Sequence, residues 1–189
     1  MILEGIVTTL DSHGEINIAP MGPIVDEAIG WLTLRPFATS QTYQNLEQRP
    51  YGVFHVIDDV LLLARAAIDD WDDEPATFPA EKIEGVVLQS ACRWYEFEIV
   101  TVDDRKERTT IEASVVHRGW LRDFFGFNRA KHAVVEAAIL ATRLHLIGRE
   151  KILKQFEPLR VIVDKTAGPQ ESAAFELLES YVARAHGTK

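Results

Sequence analysis

Arg35 heads the stretch whose residue types come closest to a binding site, RPFATSQTYQNL over residues 35–46. A strand pattern ends at Arg35, Pro36 breaks it, and Thr39 or Ser40 falls where a helix N-cap belongs, so the segment reads as strand, turn and helix. The first turn of such a helix presents unpaired N–H groups and the positive end of the helix dipole. Arg35 and the hydroxyls of Thr39, Ser40 and Thr42 add donors around it, a combination that suits phosphate. The plainer alternative is that Ser40 is an ordinary cap and Arg35 a surface cation.

Residues 16–22, INIAPMG, raise a second question. Pro20 removes a ladder donor and fixes its own backbone torsion, and Gly22 lets another group approach the main chain closely. Either the strand ends there or something docks. Residues 16–22 and 29–36 are expected as neighbouring strands, which would set this bare backbone beside the anion cradle. A ligand with a flat polar ring and a phosphate tail would fit both.

Other chemistry is poorly represented. The six histidines are scattered and there is one cysteine, Cys92, so neither zinc-type spacing nor an internal disulfide is expected, and a reducing cytoplasm is the natural setting. The stretch IDDWDDEPATFPAE could bind a hard cation through its carboxylates, but without EF-hand spacing it reads as a solvated acidic loop. A formal net charge of -9 opposes binding to nucleic acid or an anionic membrane. No apolar run is long enough to span a bilayer, and the N-terminus MILEGIVTTLDSHGE reads as a first strand and not as a signal peptide. His55 on a strand reads as a structural histidine, Cys92 as a small core residue, and Trp31, Trp94, Tyr95 and Trp120 as core or dimer contacts.

The elements that must carry these residues are mostly strands. Alternation in ILEGIVTTL and EINIAP, joined by DSHG, predicts a hairpin. IGWLTLRP and YGVFHVI give two further strands with a short polar helix between them, and RWYEFEIVTV and RTTIEASVVH flank the charged turn DDRKE. Six antiparallel strands in close succession argue for a barrel. From Asn128 the chain turns Ala-rich and helical through NRAKHAVVEAAILATRLHLI, REKILKQFEPLRVIVDK and SAAFELLESYVARA. The expected organisation is a barrel over residues 1–122 with a helical region, 123–189, packed on it: mainly β with C-terminal helices.

NIAPMG, a strand ending in Arg35, then TSQTYQNL and a further strand, in that order, resemble the FMN-binding split-barrel proteins, which include flavin reductase-like members. Together with the helix FNRAKHAVVEAAILATR over residues 127–143, they most resemble the domain of unknown function 447 family. The resemblance covers most of the chain and is weak over residues 59–92. It implies a split β-barrel homodimer with FMN in a groove near the subunit interface. The phosphate would be held by Arg35 and the Thr39, Ser40 and Thr42 region, with Asn45 further along that helix, and the ring would lie near Asn17, Ala19, Pro20, Met21 and Gly22. Better-known reductases carry a Lys-Asp-Thr pattern where this chain has RPFATSQT, so Arg35 and the hydroxyls would have to replace that lysine.

At about 100° per residue, Arg129, His132, Glu136 and Arg143 fall within about 60° of one another on an otherwise apolar helix. Partial burial with Glu136 paired to the arginines is expected of so narrow a stripe. It would be either a salt-bridge ladder or a flank of the flavin groove, with Arg129 and His132 facing the ligand, while Lys131 is expected to reach solvent. The function that follows is an FMN flavoprotein passing hydride or electrons from a reduced nicotinamide or deazaflavin to an acceptor, with no dedicated dinucleotide fingerprint. The alternative is a non-catalytic flavin carrier or protein-interaction module. No catalytic residue and no metal ligand is assigned.

Overall fold

Asp11 sets the first hairpin. β1 (Gly5–Leu10) and β2 (Ile16–Met21) pair antiparallel with Thr9 opposite Asn17 and Ile6 opposite Pro20. Between them Asp11 Oδ1 accepts from the N–H groups of His13 (2.8 Å) and Glu15 (2.9 Å), while Gly14 takes a φ of 88°, which glycine adopts without strain. The computed structural model describes residues 1–185, which divide into two compact units.

The first unit comprises residues 1–57 and 75–124. After the hairpin come β3 (Ile24–Val25), β4 (Trp31–Leu34), α1 (Gln41–Gln48) and β5 (Tyr51–Val56). A small hairpin of β6 (Thr77–Pro79) and β7 (Val86–Leu88) follows, then the long strands β8 (Arg93–Asp103) and β9 (Thr110–Trp120). The main sheet has seven antiparallel strands in the order β2-β1-β5-β8-β9-β4-β3. The residues ahead of β1 then close it: Ile2 bridges Ile24, Leu3 N–H donates to Pro23 O (3.1 Å) and Val25 N–H to Met1 O (2.8 Å). β1 therefore pairs with β2 along its length and, through its leading residues, reaches β3, leaving β2 as an edge. That arrangement is a split β-barrel.

Three short strands, β3, β6 and β7, add to the six expected; at two or three residues each they carry no readable alternation. Register shifts in the β8–β9 ladder bend the two longest strands, as curling a sheet into a barrel requires. Two glycines permit close approach: a Cβ on Gly5 would collide with the carbonyl of His55, and one on Gly119 with the Trp94 indole. The barrel core is Val7, Leu32, Leu34, Phe54, Tyr95, Phe97, Ile111 and Ala113, joined by Tyr43 and Leu46 of α1. Each such large side chain contributes about 1.5–3 kcal/mol on burial. Trp94 and Tyr95 are core residues as expected, and Cys92 is buried, whereas Trp31 and Trp120 are 51% and 60% exposed.

The second unit takes residues 58–74 together with the chain from Phe125. Its helices are α2 (Val60–Ile68), α3 (Arg129–Thr142), α4 (Leu144–Ile147), α5 (Arg149–Thr166) and α6 (Pro169–Arg184). α3 packs on α2, α5 and α6 through Ala130, Ala133, Ala137, Ala138 and Ala141, whose small side chains let helices approach closely. Phe156 and Phe175 join α5 to α6 with ring centroids 5.4 Å apart. The last third is helical as expected. α2 is not legible from the sequence, because its run VLLLA is apolar without a period and so does not distinguish helix from buried strand. Asp59 caps it by accepting from Leu62 N–H (2.9 Å), and the acidic stretch that follows is a loop up to β6.

Candidate functional site

The turn after β4 is clamped by the residues ahead of β9. Thr109 gives both its N–H and its hydroxyl to Pro36 O (3.0 Å each), Ala38 N–H donates to Glu107 O (2.9 Å), and Arg108 Nε donates to Arg35 O (3.1 Å). The Arg108 guanidinium also lies 5.4 Å from the Phe37 ring centroid. Ser40 is the N-cap of α1: its hydroxyl donates to Phe37 O (2.7 Å) and accepts from Tyr43 N–H (3.2 Å). That leaves the N–H groups of Gln41 and Thr42 with no acceptor inside the helix, at the positive end of its dipole. Thr39 is exposed beside them.

Arg35 supplies the clearest sign of a missing acceptor. Its Nε is buried and meets no hydrogen-bond partner among the described residues. Leaving such a donor unsatisfied costs about 1–3 kcal/mol, more for a charged group, so the site favours an anion or another strong acceptor.

Asn17, Thr42 and Asn45 come together, but over one another. Asn17 Nδ2 donates to Thr42 Oγ1 (3.1 Å) and Thr9 Oγ1 (3.2 Å), and Asn45 Nδ2 donates to Thr9 Oγ1 (3.0 Å). The expectation that residues 16–22 and 29–36 form neighbouring strands is not met, since β2 pairs with β1 alone and β4 with β3 and β9. Helix α1 makes the connection instead, through the bond between Thr42 and Asn17.

β2 does not stop at Pro20. It runs on to Met21, and because β2 is an edge the missing N–H breaks no inner ladder. Strand alternation puts Asn17, Ala19 and Met21 on the face of Thr9 and Val7, where Met21 packs on the core, and turns Ile18 and Pro20 the other way. What β2 offers outward is its free backbone edge. Gly22 is bare for the chain's own sake as well, since a Cβ there would stand 2.8 Å from the Glu4 carboxylate and 2.9 Å from the Ile2 side chain.

Arg129 and His132 belong to the second unit and are exposed on α3, where the Phe127 ring stacks on His132 with centroids 6.0 Å apart. Glu136 and Arg143 are exposed too, and among the described residues the stripe contains no ion pair. The expected partial burial is therefore corrected: the stripe is the solvent face of a helix whose other sides are packed. Lys131, expected in solvent, is instead the buried member. Its ammonium lies 2.8 Å from Glu171 Oε1 and 2.6 Å from Asp58 O. Val134 and Ala138, three and seven residues on, mark the same buried face, so the spacing did carry this signal. Burial pushes the Glu171 carboxyl up, but the Lys131 ammonium and the Gly168 N–H outweigh it and hold the group below the usual carboxylate range.

Among the described residues no group of His, Cys, Asp and Glu is arranged to hold a metal ion, and no helix is long and apolar enough to cross a membrane.

Comparison with known proteins gives a consistent picture. The family described as "Protein of unknown function (DUF447) N-terminal domain" matches residues 3–122, and "Protein of unknown function (DUF447)" matches residues 128–180. An FMN-bound protein of that family from Methanosarcina mazei is 24% identical, with a TM-score of 0.82 over 95% of this chain and 94% of its own. The styrene monooxygenase flavin reductase of Pseudomonas putida S12 shares 13% identity at a TM-score of 0.52, over 62% of this chain and 77% of its own. An FMN-binding protein from Thermus thermophilus with bound p-hydroxybenzaldehyde is similar at 13% identity and a TM-score of 0.55, covering 62% and 71%. No curated protein matches the chain.

Proposed function

The chain belongs to the DUF447 family, and from that premise we propose that it is an FMN-binding flavoprotein of the flavin reductase type. The observation that carries the reading is the buried, unpartnered Nε of Arg35 at the entrance to the turn that leads into α1. Arg35, the hydroxyl of Thr39 and the N–H groups opening α1 suit the phosphate, while Ser40, whose hydroxyl donates to Phe37 O, holds the turn as the helix cap. The outer edge of β2 from Ala19 to Gly22 suits the polar rim of the ring, with Asn17, Thr42 and Asn45 supporting from within. The M. mazei relative is FMN-bound and the barrel is shared with a flavin reductase, which supports the same reading.

A bound flavin supplies hydride and electron transfer, so the chain's own residues need only bind, orient and shield it. The proposed donor is a reduced nicotinamide or a deazaflavin, docking transiently because the sequence has no dinucleotide fingerprint. Homodimerisation is part of the proposal, since Trp31, Val100, Val102 and Val116 leave apolar surface exposed on the strands of the barrel. The net charge of -9 disfavours nucleic acid as a partner, and the single cysteine suits a reducing cytoplasm.

Arg35→Ala should weaken FMN binding by about tenfold to a hundredfold, the worth of a hydrogen bond to a charged group, with little change in melting temperature. Fluorescence titration against thermal denaturation checks this, and unchanged affinity would remove Arg35 from the site. Turnover is tested by mixing the FMN-loaded protein with reduced nicotinamide. Oxidation faster than with equal free FMN is expected, and a rate no faster would leave a flavin carrier.

A further inference from the structure

The polar residues between β1, β2 and α1 form a continuous chain of hydrogen bonds. Besides the bonds from Asn17 to Thr42 and Thr9 and from Asn45 to Thr9, Gln41 Nε2 donates to Asn45 Oδ1 (2.7 Å). Thr9, Thr42 and Asn45 are only 3%, 3% and 1% exposed. Buried polar groups linked in this way resist rearrangement, because a member that moves leaves others unsatisfied. Among the described residues, the bond from Asn17 to Thr42 is the one side-chain hydrogen bond joining β2 to α1. It links the strand offered to a flavin ring with the helix turn offered to a phosphate.

We propose that Asn17 and Thr42 are positioning residues for phosphate recognition, fixing the first turn of α1 against β2 so that the site selects a phosphorylated flavin over riboflavin. This rests on the flavin reading above and makes specific the support these two side chains give. Thr42 is too deeply buried to serve mainly as a ligand contact, and it acts through the N–H groups of its own turn. Asn17 spends its amide donors on two hydroxyls, so it too acts through the helix. The geometry that matters is the distance from the edge of β2 to the opening of α1, and the network holds that distance.

The test is the ratio of riboflavin to FMN dissociation constants, measured by fluorescence quenching for the unaltered protein and for Thr42→Val, Asn17→Ala and Thr42→Ser. The unaltered protein should prefer FMN. Thr42→Val and Asn17→Ala should each lower that preference by about tenfold, equivalent to about 1.4 kcal/mol, and Thr42→Ser, which keeps the hydroxyl, should retain it. Asn17→Ala, at a half-buried strand position, provides the reading if Thr42→Val does not fold. A merely structural network would lower the melting temperature and weaken both flavins alike, so an unchanged preference in the variants overturns the inference. Equal affinity of the unaltered protein for riboflavin and FMN would instead overturn the phosphate subsite, and binding of neither would overturn the flavin reading. The inference falls in both of those cases.

Discussion

Acidification from pH 7 to pH 4 is expected to remove about 3 kcal/mol of folding stability through His55 alone. His55 is fully buried on β5, with Nδ1 3.2 Å from Ile6 O and Nε2 accepting from Leu88 N–H at 3.1 Å. Those partners select the neutral ring with its proton on Nδ1 and tie β1, β5 and β7 together. Burial pushes the pKa down from 6.5 to about 4, against a smaller upward pull from the Ile6 carbonyl. The unfolded chain therefore binds the proton first. The contribution of His55 is fully present above pH 6.5 and is lost progressively as pH falls through 6.5 toward 4. Carboxylates titrate over part of the same range, so the measurement is a difference: urea denaturation of the unaltered protein and of His55→Gln at pH 7, 6, 5 and 4. The variant should be less stable at pH 7, and the gap should narrow by about 3 kcal/mol at pH 4. A gap independent of pH would show that His55 is not held neutral.

Lys131→Met should cost about 3–5 kcal/mol, the usual effect of removing one partner from a buried ion pair. The Lys131 and Glu171 side chains are 13% and 9% exposed at a separation of 2.8 Å, and the same ammonium reaches Asp58 O, so one side chain binds the start of the α2 segment to α3 and α6. In the variant the Glu171 carboxylate keeps its bond from Gly168 N–H (2.8 Å) but loses its counter-charge. The double variant Lys131→Met/Glu171→Gln removes the stranded charge while leaving an acceptor for Gly168, and it should recover much of the loss. Thermal denaturation checks both, with each kcal/mol worth about 2–4 °C for a protein of this size. A double variant no more stable than the single one would show that the stranded charge is not the cause.

Where structure depends on local signals, the sequence announced it. The hairpin around Asp11, the turn that joins β8 to β9 and the Ser40 cap of α1 all rest on residues within a few positions of one another. Closure of the barrel was not legible, because the alternation that begins at Ile2 does not say which strand it meets, and its partner β3 is only two residues long. The candidate site divides in the same way. Arg35 and the hydroxyls stood out by type, but the bond from Asn17 to Thr42 spans 25 residues and depends on how α1 folds back over β2. The α3 stripe misled because its narrowness on an apolar helix suggests partial burial of the stripe itself, whereas the packed faces lie elsewhere and the charge they enclose is Lys131.

The most direct test of the flavin reading is the visible absorption spectrum of freshly purified protein, with mass spectrometry of whatever heating releases, followed by titration with FMN. A flavin spectrum with FMN released is the predicted result, or, for protein purified without flavin, a saturable spectral shift with quenched fluorescence as FMN is added. No flavin in the purified protein, and neither shift nor quenching on titration, would contradict the account.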